Sequence, residues 1–166
     1  MKRARSRSIL ALLLLLMPAL VRAQSGGATI KAASCQQSDV NAVINGPTHK
    51  AVNGDTIQIP PGSCTWTPGI TISGVGITIT GTGTPNSGGG TFGAGVSTTS
   101  LVGTSTAPLF KFTNITVGQT ARVTLMTLGT TITNNSIIPG PIAMVGICTT
   151  AGCPQGRIDN ITYTSN

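Results

Sequence analysis

Residues 53–62, NGDTIQIPPG, alternate apolar and polar side chains between two turn signals. The Asn-Gly pair at the start and the Pro-Gly pair at the end are typical of turns. Between them, Ile57 and Ile59 alternate with polar residues, which is the period of two of a β-strand. One face of this strand is therefore apolar and requires a second layer to cover it.

The same alternation returns along the chain at a nearly regular interval. Apolar strand residues are spaced by 20 positions from Ile57 to Ile77 and by 22 from Ile79 to Leu101. Extra short strands fall between the repeats, and further strands are predicted near residues 142–145 and 157–163. Such a period favours a β-solenoid, in which stacked coils cover one another's apolar residues. A β-sandwich or barrel, with strands every 8–12 residues, is the alternative.

One short helix is predicted at residues 38–45, before the first strand. Val40, Val43 and Ile44 follow helical spacing and form one apolar stripe. Ser38 is a plausible N-cap. A helix this short is unstable alone, so we expect it to cover the first coil.

The basic residues concentrate at the N-terminus. Five of the ten Lys and Arg lie in the first 22 residues, and an apolar run covers residues 9–21. A small residue, Ala23, then offers a cleavage point, so residues 1–23 are predicted to be a signal peptide. The run is shorter than the roughly 20 residues that a membrane span needs. We therefore expect no stable span and a secreted, extracellular or periplasmic product.

The mature chain after residue 23 is nearly neutral. Its five basic residues face three Asp, and the sequence contains no Glu. No basic stripe with interleaved aromatic residues remains, which argues against nucleic-acid binding. The predicted organisation is a cap segment at 24–53 followed by coils at 54–166.

Four cysteines in an exported chain indicate disulfides. The sequence allows three pairings, of which we favour Cys35–Cys64 and Cys148–Cys153. Zinc is disfavoured because there is one close cysteine pair and the single His49 is distant in sequence. No metal site is predicted.

Three segments, 32–45, 53–66 and 76–83, resemble the N-terminal cap and first coils of exported right-handed parallel β-helix proteins of the pectate-lyase-like superfamily. A weaker similarity covers 156–163, where Asn160 stands at a position at which His is common and Tyr163 replaces Phe. The resemblance implies an all-β right-handed parallel β-helix with a short N-terminal capping helix. Family members run for more coils, so we expect a fragment that is truncated at its C-terminus.

The resemblance also implies binding or cleavage of an extracellular polysaccharide. In a lyase of this kind, the base is an exposed Arg or Lys, and Ca²⁺ on carboxylates neutralises a uronate. The candidates in this chain are Lys111, Arg122, Arg157 and Asp159. One Asp is too few for a Ca²⁺ site, so we expect no cofactor here, although a longer parent protein could hold Ca²⁺.

Arg157 and Asp159 are two positions apart and project from one strand face. They are either a substrate-facing pair or a surface ion pair of little energetic value. A glycoside hydrolase needs two neighbouring carboxylates, and Asp55 in the Asn-Gly-Asp turn is better explained as a turn residue. Trp66 is expected in the core of the capped region, and His49 in a surface loop.

We therefore expect no complete active site in residues 24–166. Two functions stay open: a pectate-lyase-like protein that binds or cleaves polysaccharide, and a non-catalytic surface or adhesion solenoid. A lyase is the favoured activity if the protein is an enzyme.

Overall fold

The structure is a computed structural model that describes residues 27–84, 96–130 and 142–165. The described residues are mostly β-strand, with one helix. The elements in chain order are β1 (Thr29–Lys31), α1 (Gln37–Asn45), β2 (Thr56–Gln58), β3 (Gly62–Trp66), β4 (Ile70–Ser73), β5 (Thr78–Thr80), β6 (Gly83–Thr84), β7 (Val96–Ser97), β8 (Thr99–Gly103), β9 (Phe110–Ile115), β10 (Thr120–Thr130), β11 (Ile142–Gly146) and β12 (Gln155–Ser165).

The first ladder of strands stacks β1, β2, β5, β10 and β12 in parallel. The pairing brings the central apolar residues of each strand into one column, which consists of Ile30, Ile57, Ile79, Val123 and Ile158. Ile57, Ile79 and Val123 are fully buried because each is covered from both sides. The period-two pattern therefore supplies one inward column.

The second ladder stacks β3 on β8 and then continues through the later parts of β10 and β12. These two long strands belong to both ladders because each turns a corner. Leu125 and Asn160 have φ of 56° and 53°, the left-handed conformation, at that corner. Trp66 lies on the inner side of the second ladder and is buried.

The third ladder stacks β4, β9 and β11 in parallel. It places Ile70 opposite Phe110 and Ile142, and Ile72 opposite Phe112 and Met144. A short antiparallel pair, β6 with β7, projects between the first and second ladders. These two strands lie in the segment 82–98, which is rich in Gly, Thr and Ser, and residues 85–95 lie outside the described part of the chain.

The chain passes through the three ladders in order and then returns to the first. Successive passes pair in parallel in all three ladders, which gives a curled sheet of parallel strands around an apolar interior. The all-β prediction is confirmed at this level. The arrangement is compatible with a β-solenoid, and it differs from the antiparallel pairing usual in a β-sandwich.

The helix α1 closes one end of this stack. Val40 and Ile44 are buried, whereas the rest of the helix faces solvent or is half-buried. The helix begins one residue before the predicted 38–45, and its N-cap is Gln36 rather than Ser38. Ser34 explains the difference, since its hydroxyl donates to the Asp39 carboxylate at 2.6 Å and accepts the backbone N–H of Gln36.

Two disulfides are present, and both match the favoured pairing. Cys35–Cys64 ties the segment before α1 to β3, and Cys148–Cys153 closes a short loop between β11 and β12. Within the described residues, no helix is long and apolar enough to cross a membrane. The predicted signal peptide at 1–23 lies outside those residues.

Candidate functional site

The charged cluster on the outer side of the first ladder joins three of the four candidate residues. Arg122 donates two hydrogen bonds to Asp159, from Nε to Oδ1 at 2.8 Å and from Nη2 to Oδ2 at 2.6 Å. Arg157 Nη2 lies 3.4 Å from Asp159 Oδ2. The three side chains form what we call the arginine cluster.

Strand register explains why these residues meet. The pairing of β10 with β12 places Arg122 beside Arg157, and Thr124 beside Asp159. Arg122, Arg157 and Asp159 lie on the face opposite the inward Val123 and Ile158, because side chains alternate along a strand. Thr124 is buried beneath this group. The sequence predicted that Arg157 and Asp159 share a face. The contribution of Arg122 depends on pairing between residues 37 positions apart, which the sequence does not reveal.

The electrostatics of the cluster keep both Arg122 and Asp159 in their charged forms. The hydrogen bonds from Arg122 hold the pKa of Asp159 below its usual value against the opposing effect of burial, and the charges of Arg122 and Arg157 add to this. In turn, the Asp159 carboxylate raises the pKa of Arg122. Asp159 is therefore ionised at neutral pH and paired with Arg122.

The corner residue Asn160 supports the cluster from the side. Its amide donates to Asp159 Oδ2 at 3.0 Å and to Thr124 Oγ1 at 3.4 Å. Asn tolerates the left-handed conformation required at this corner better than most residues do. Sequence reasoning noted Asn160 only as a departure from the family pattern and missed this role.

Exposure separates the two arginines. The Arg122 side chain is about one-third exposed and Asp159 is 18% exposed, whereas Arg157 is 65% exposed. Arg157 therefore has guanidinium donors directed to solvent beside a fixed ion pair. Guanidinium groups bind carboxylate and other oxyanions through paired hydrogen bonds, so the cluster is suited to anion binding.

Lys111, the fourth candidate, belongs to a different face. It lies on β9 in the third ladder, between Thr71 of β4 and Ala143 of β11, and its side chain is exposed. The cluster lies on the first ladder. The structure therefore does not bring Lys111 into the cluster.

The other two carboxylates stabilise the capped end. Asp55 is buried, and its two oxygens accept the backbone N–H groups of Ala28 and Val52, each at 2.9 Å. Asp39 accepts the hydroxyl of Ser34. Asp55 is thus a turn residue, as its sequence context suggests. Among the described residues, no group of three or more His, Cys, Asp or Glu side chains could hold a metal ion.

Trp66 and His49 have structural roles. The Trp66 indole N–H donates to the Cys35 carbonyl at 2.9 Å, and the ring packs edge-on against Phe110 with centroids 5.3 Å apart. His49 Nδ1 lies 2.7 Å from the Val43 carbonyl oxygen, so that nitrogen carries the proton. Trp66 is consequently a core residue, as expected, and is not a platform for a sugar.

A cleft of about 370 Å³ lies beside the Cys148–Cys153 loop. Ile115, Met144 and Pro154 supply much of its apolar lining, and Gln155 adds a polar side chain. The arginine cluster does not line this cleft. The cleft has the size of a small-molecule site, but the described residues that line it include no charged group to orient a ligand.

No protein-family model, curated protein or solved structure matches the chain. The likeness to pectate-lyase-like proteins therefore rests on the sequence motifs alone, and function has to be argued from the cluster.

Proposed function

We propose that this protein is an exported right-handed parallel β-helix that binds an acidic extracellular polysaccharide at the arginine cluster. Three observations support the proposal. The parallel ladders are compatible with such a coil, the two disulfides are consistent with an oxidising compartment, and the cluster presents an exposed guanidinium.

The single observation that carries the proposal is the position of Arg157. Its guanidinium is exposed, while its neighbour Arg122 is held by Asp159 in a two-point ion pair. The two-point pair occupies Arg122, whereas Arg157 retains donors for a ligand carboxylate. Outward Thr residues on the same ladder, Thr78 and Thr80, add hydroxyl groups beside the cluster.

The cluster favours binding over proton abstraction. The Asp159 carboxylate is ionised but occupied by Arg122, and the raised pKa of Arg122 keeps that group protonated. A general base must be unprotonated and free to reach its substrate proton. Asp159 is unprotonated but both of its oxygens are held by Arg122, and Arg122 is protonated, so neither group meets both conditions. Cleavage would therefore depend on Arg157.

The binding test compares polygalacturonate with a neutral glucan by titration calorimetry. We expect binding of polygalacturonate only, and the Arg157→Gln variant to weaken it at least about tenfold, because hydrogen bonds to charged groups are the stronger ones. Lys111→Gln is the matched control, since it removes the same charge from the third ladder. Equal losses in both variants would indicate non-specific charge attraction and contradict the proposal.

A second assay separates binding from cleavage. Release of unsaturated uronate from polygalacturonate, followed by its ultraviolet absorbance with and without Ca²⁺, reports lyase activity. We expect none from this chain. Turnover that disappears in Arg157→Gln would make the protein a lyase, whereas neither binding nor turnover would favour the adhesion solenoid.

A further inference from the structure

A small polar pocket of about 180 Å³ lies where the chain enters the first ladder. The residues that line it are at or just before the starts of β2, β5 and β10. The described lining consists of three glycines and four polar side chains, and it includes no charged group. The four polar residues are Asn53, Thr78, Gln119 and Thr120.

The pocket lies within the stack. Its strand β5 pairs with β2 and β10, and β10 pairs in turn with β12, so described strands flank both. Thr78 and Thr120 alternate with the buried Ile79 and Ala121, which directs both hydroxyl groups to the outer face. A ligand can therefore approach the pocket from the same side as the arginine cluster.

Hydrogen bonds hold Asn53 in one orientation at the pocket wall. Its Oδ1 accepts the backbone N–H of Gly76 at 2.8 Å and Nε2 of Gln119 at 3.0 Å. Gln119 is itself fixed, because Nε2 also donates to the Gly74 carbonyl at 3.0 Å and Oε1 accepts the Thr116 N–H at 2.8 Å. A backbone N–H can only donate, so Asn53 presents its oxygen to Gly76 and keeps Nδ2 as a donor. Within the described part of the chain, that Nδ2 has no hydrogen-bond partner.

The pocket thus offers one oriented amide donor and two hydroxyl groups, which both donate and accept. A carboxylate placed here would lose its water without gaining a cation, which is costly. A neutral acetamido group fits this chemistry, because its carbonyl can accept from Asn53 and its N–H can donate to a threonine hydroxyl. The volume is below the roughly 300–1,000 Å³ of whole small-molecule sites, so the pocket suits one part of a longer ligand.

The pocket adjoins the arginine cluster. Thr78 is the register partner of Arg122, and Thr120 lies two residues before Arg122 on the same face of β10. Two residues of a strand span about 6.6 Å. Neighbouring units of one sugar chain can therefore occupy the cluster and the pocket together.

We propose that this pocket is a second subsite, which binds the N-acetyl group of a neutral amino sugar next to the acidic sugar held by Arg157. The preferred polysaccharide therefore alternates uronate with an N-acetylated sugar and is not a chain of uronate alone. This inference rests on the proposed function, since Arg157 has to hold the acidic unit.

The first test compares three oligosaccharides of equal length by titration calorimetry: uronate alternating with N-acetylhexosamine, uronate alternating with unmodified hexose, and galacturonate alone. We expect the N-acetylated chain to bind at least about tenfold more tightly than each of the others, through its additional hydrogen bonds. The galacturonate chain carries twice as many carboxylates, so a site that responded to charge alone would give the opposite order.

Variants assign that preference to the pocket. Replacing Thr78 and Thr120 together by Val removes both hydroxyl groups and should reduce the ratio of the two affinities, N-acetylated chain over galacturonate, to near one. Thr56→Val is the matched control, because Thr56 is the half-buried register partner of Thr78 on β2 and does not line the pocket. Arg157→Gln should weaken both chains alike, since each places a carboxylate there.

A second variant keeps the proposal testable if the double substitution prevents folding. Asn53→Asp retains the oxygen that Gly76 and Gln119 need but removes the free donor. The affinity ratio should fall, although the added charge by itself repels the galacturonate chain more and would raise it. Equal affinities in the wild type, or a preference that survives these variants, would overturn the subsite and leave the role of Arg157 intact. If none of the acidic chains binds, the proposed function fails and the subsite fails with it.

Discussion

The capped end of the stack and the strand β12 contain the same strand pattern but bury it differently. Ile57 and Ile158 occupy one column of the first ladder, yet Ile57 is fully buried and Ile158 is 48% exposed. The difference arises from neighbours, since β2 lies between two strands and β12 has one within the described residues. The local sequence thus specifies a strand and its inward face, whereas stacking determines how much that face stabilises the fold.

The largest expected effect comes from shortening two side chains of that column, one interior and one in β12. Ile57→Ala should lower the free energy of unfolding by about 2–5 kcal/mol, since it removes a buried side chain and leaves a cavity. Ile158→Ala should cost less than about 1 kcal/mol, because partly exposed groups lose little on truncation. Urea unfolding at low protein concentration measures both. Equal losses would show that the two positions do not differ in packing.

The two disulfides allow a second comparison of the capped end with the region of β11 and β12. Replacing Cys35 and Cys64 together by Ala should cost about 3–4 kcal/mol, because their bond closes the longer loop in the unfolded chain. The same replacement of Cys148 and Cys153, which close a much shorter loop, should cost about 2 kcal/mol. Thermal unfolding followed by circular dichroism gives the order. A larger loss at the Cys148–Cys153 loop would contradict the stronger stabilisation of the capped end.

The ion pair in the arginine cluster joins β12 to β10, so removing it measures how firmly β12 is held. Folding lowers the pKa of Asp159. Its contribution to the free energy of unfolding is therefore fully present above the unfolded-state pKa, near 3.9, and is lost as the pH falls through the folded-state pKa. Asp159→Asn should therefore cost about 1 kcal/mol at pH 7, after allowance for solvent screening of partly exposed groups. That difference should vanish in acid. A pH-independent difference between wild type and variant would show that the ion pair does not tether β12.

The smallest effect concerns the corner shared by β10 and β12. Both corner residues adopt positive φ, but Leu125 bears the strain that Asn160 tolerates. Leu125→Asn should raise the free energy of unfolding by about 0.5–1 kcal/mol, less any packing lost by the half-buried leucine. Leu125→Ala is the control, because it loses that packing without relieving the strain. Chemical unfolding should rank Asn above Ala, and the reverse order would contradict the strain argument.

Several features of the fold were predictable because they depend on local chemistry. The alternation around Ile57 and Ile79 identified strands, and the predicted signal peptide made both disulfides expected. The helix was placed within one residue, although its N-cap was wrong because Ser34 engages Asp39 across the helix start.

The remaining features depend on contacts between distant residues. The ion pair between Arg122 and Asp159 follows from the register of β10 and β12. The left-handed backbone conformation of Leu125 at the corner is one that leucine rarely adopts. Lys111 shows the same limit of sequence-based prediction. Its charge made it a candidate for the site, but its strand, β9, belongs to the third ladder. No pattern in the sequence assigns strands to ladders before the coils are stacked.

Native-state hydrogen exchange tests most directly the central claim that β12, which has one partner strand within the described residues, is held less firmly than β5, which lies between two. The account predicts that the amides of β5 and of the first part of β10 exchange slowest, through global unfolding, and that those of β12 exchange by local opening at least about tenfold faster. Equal protection of β12 and β5 would contradict it.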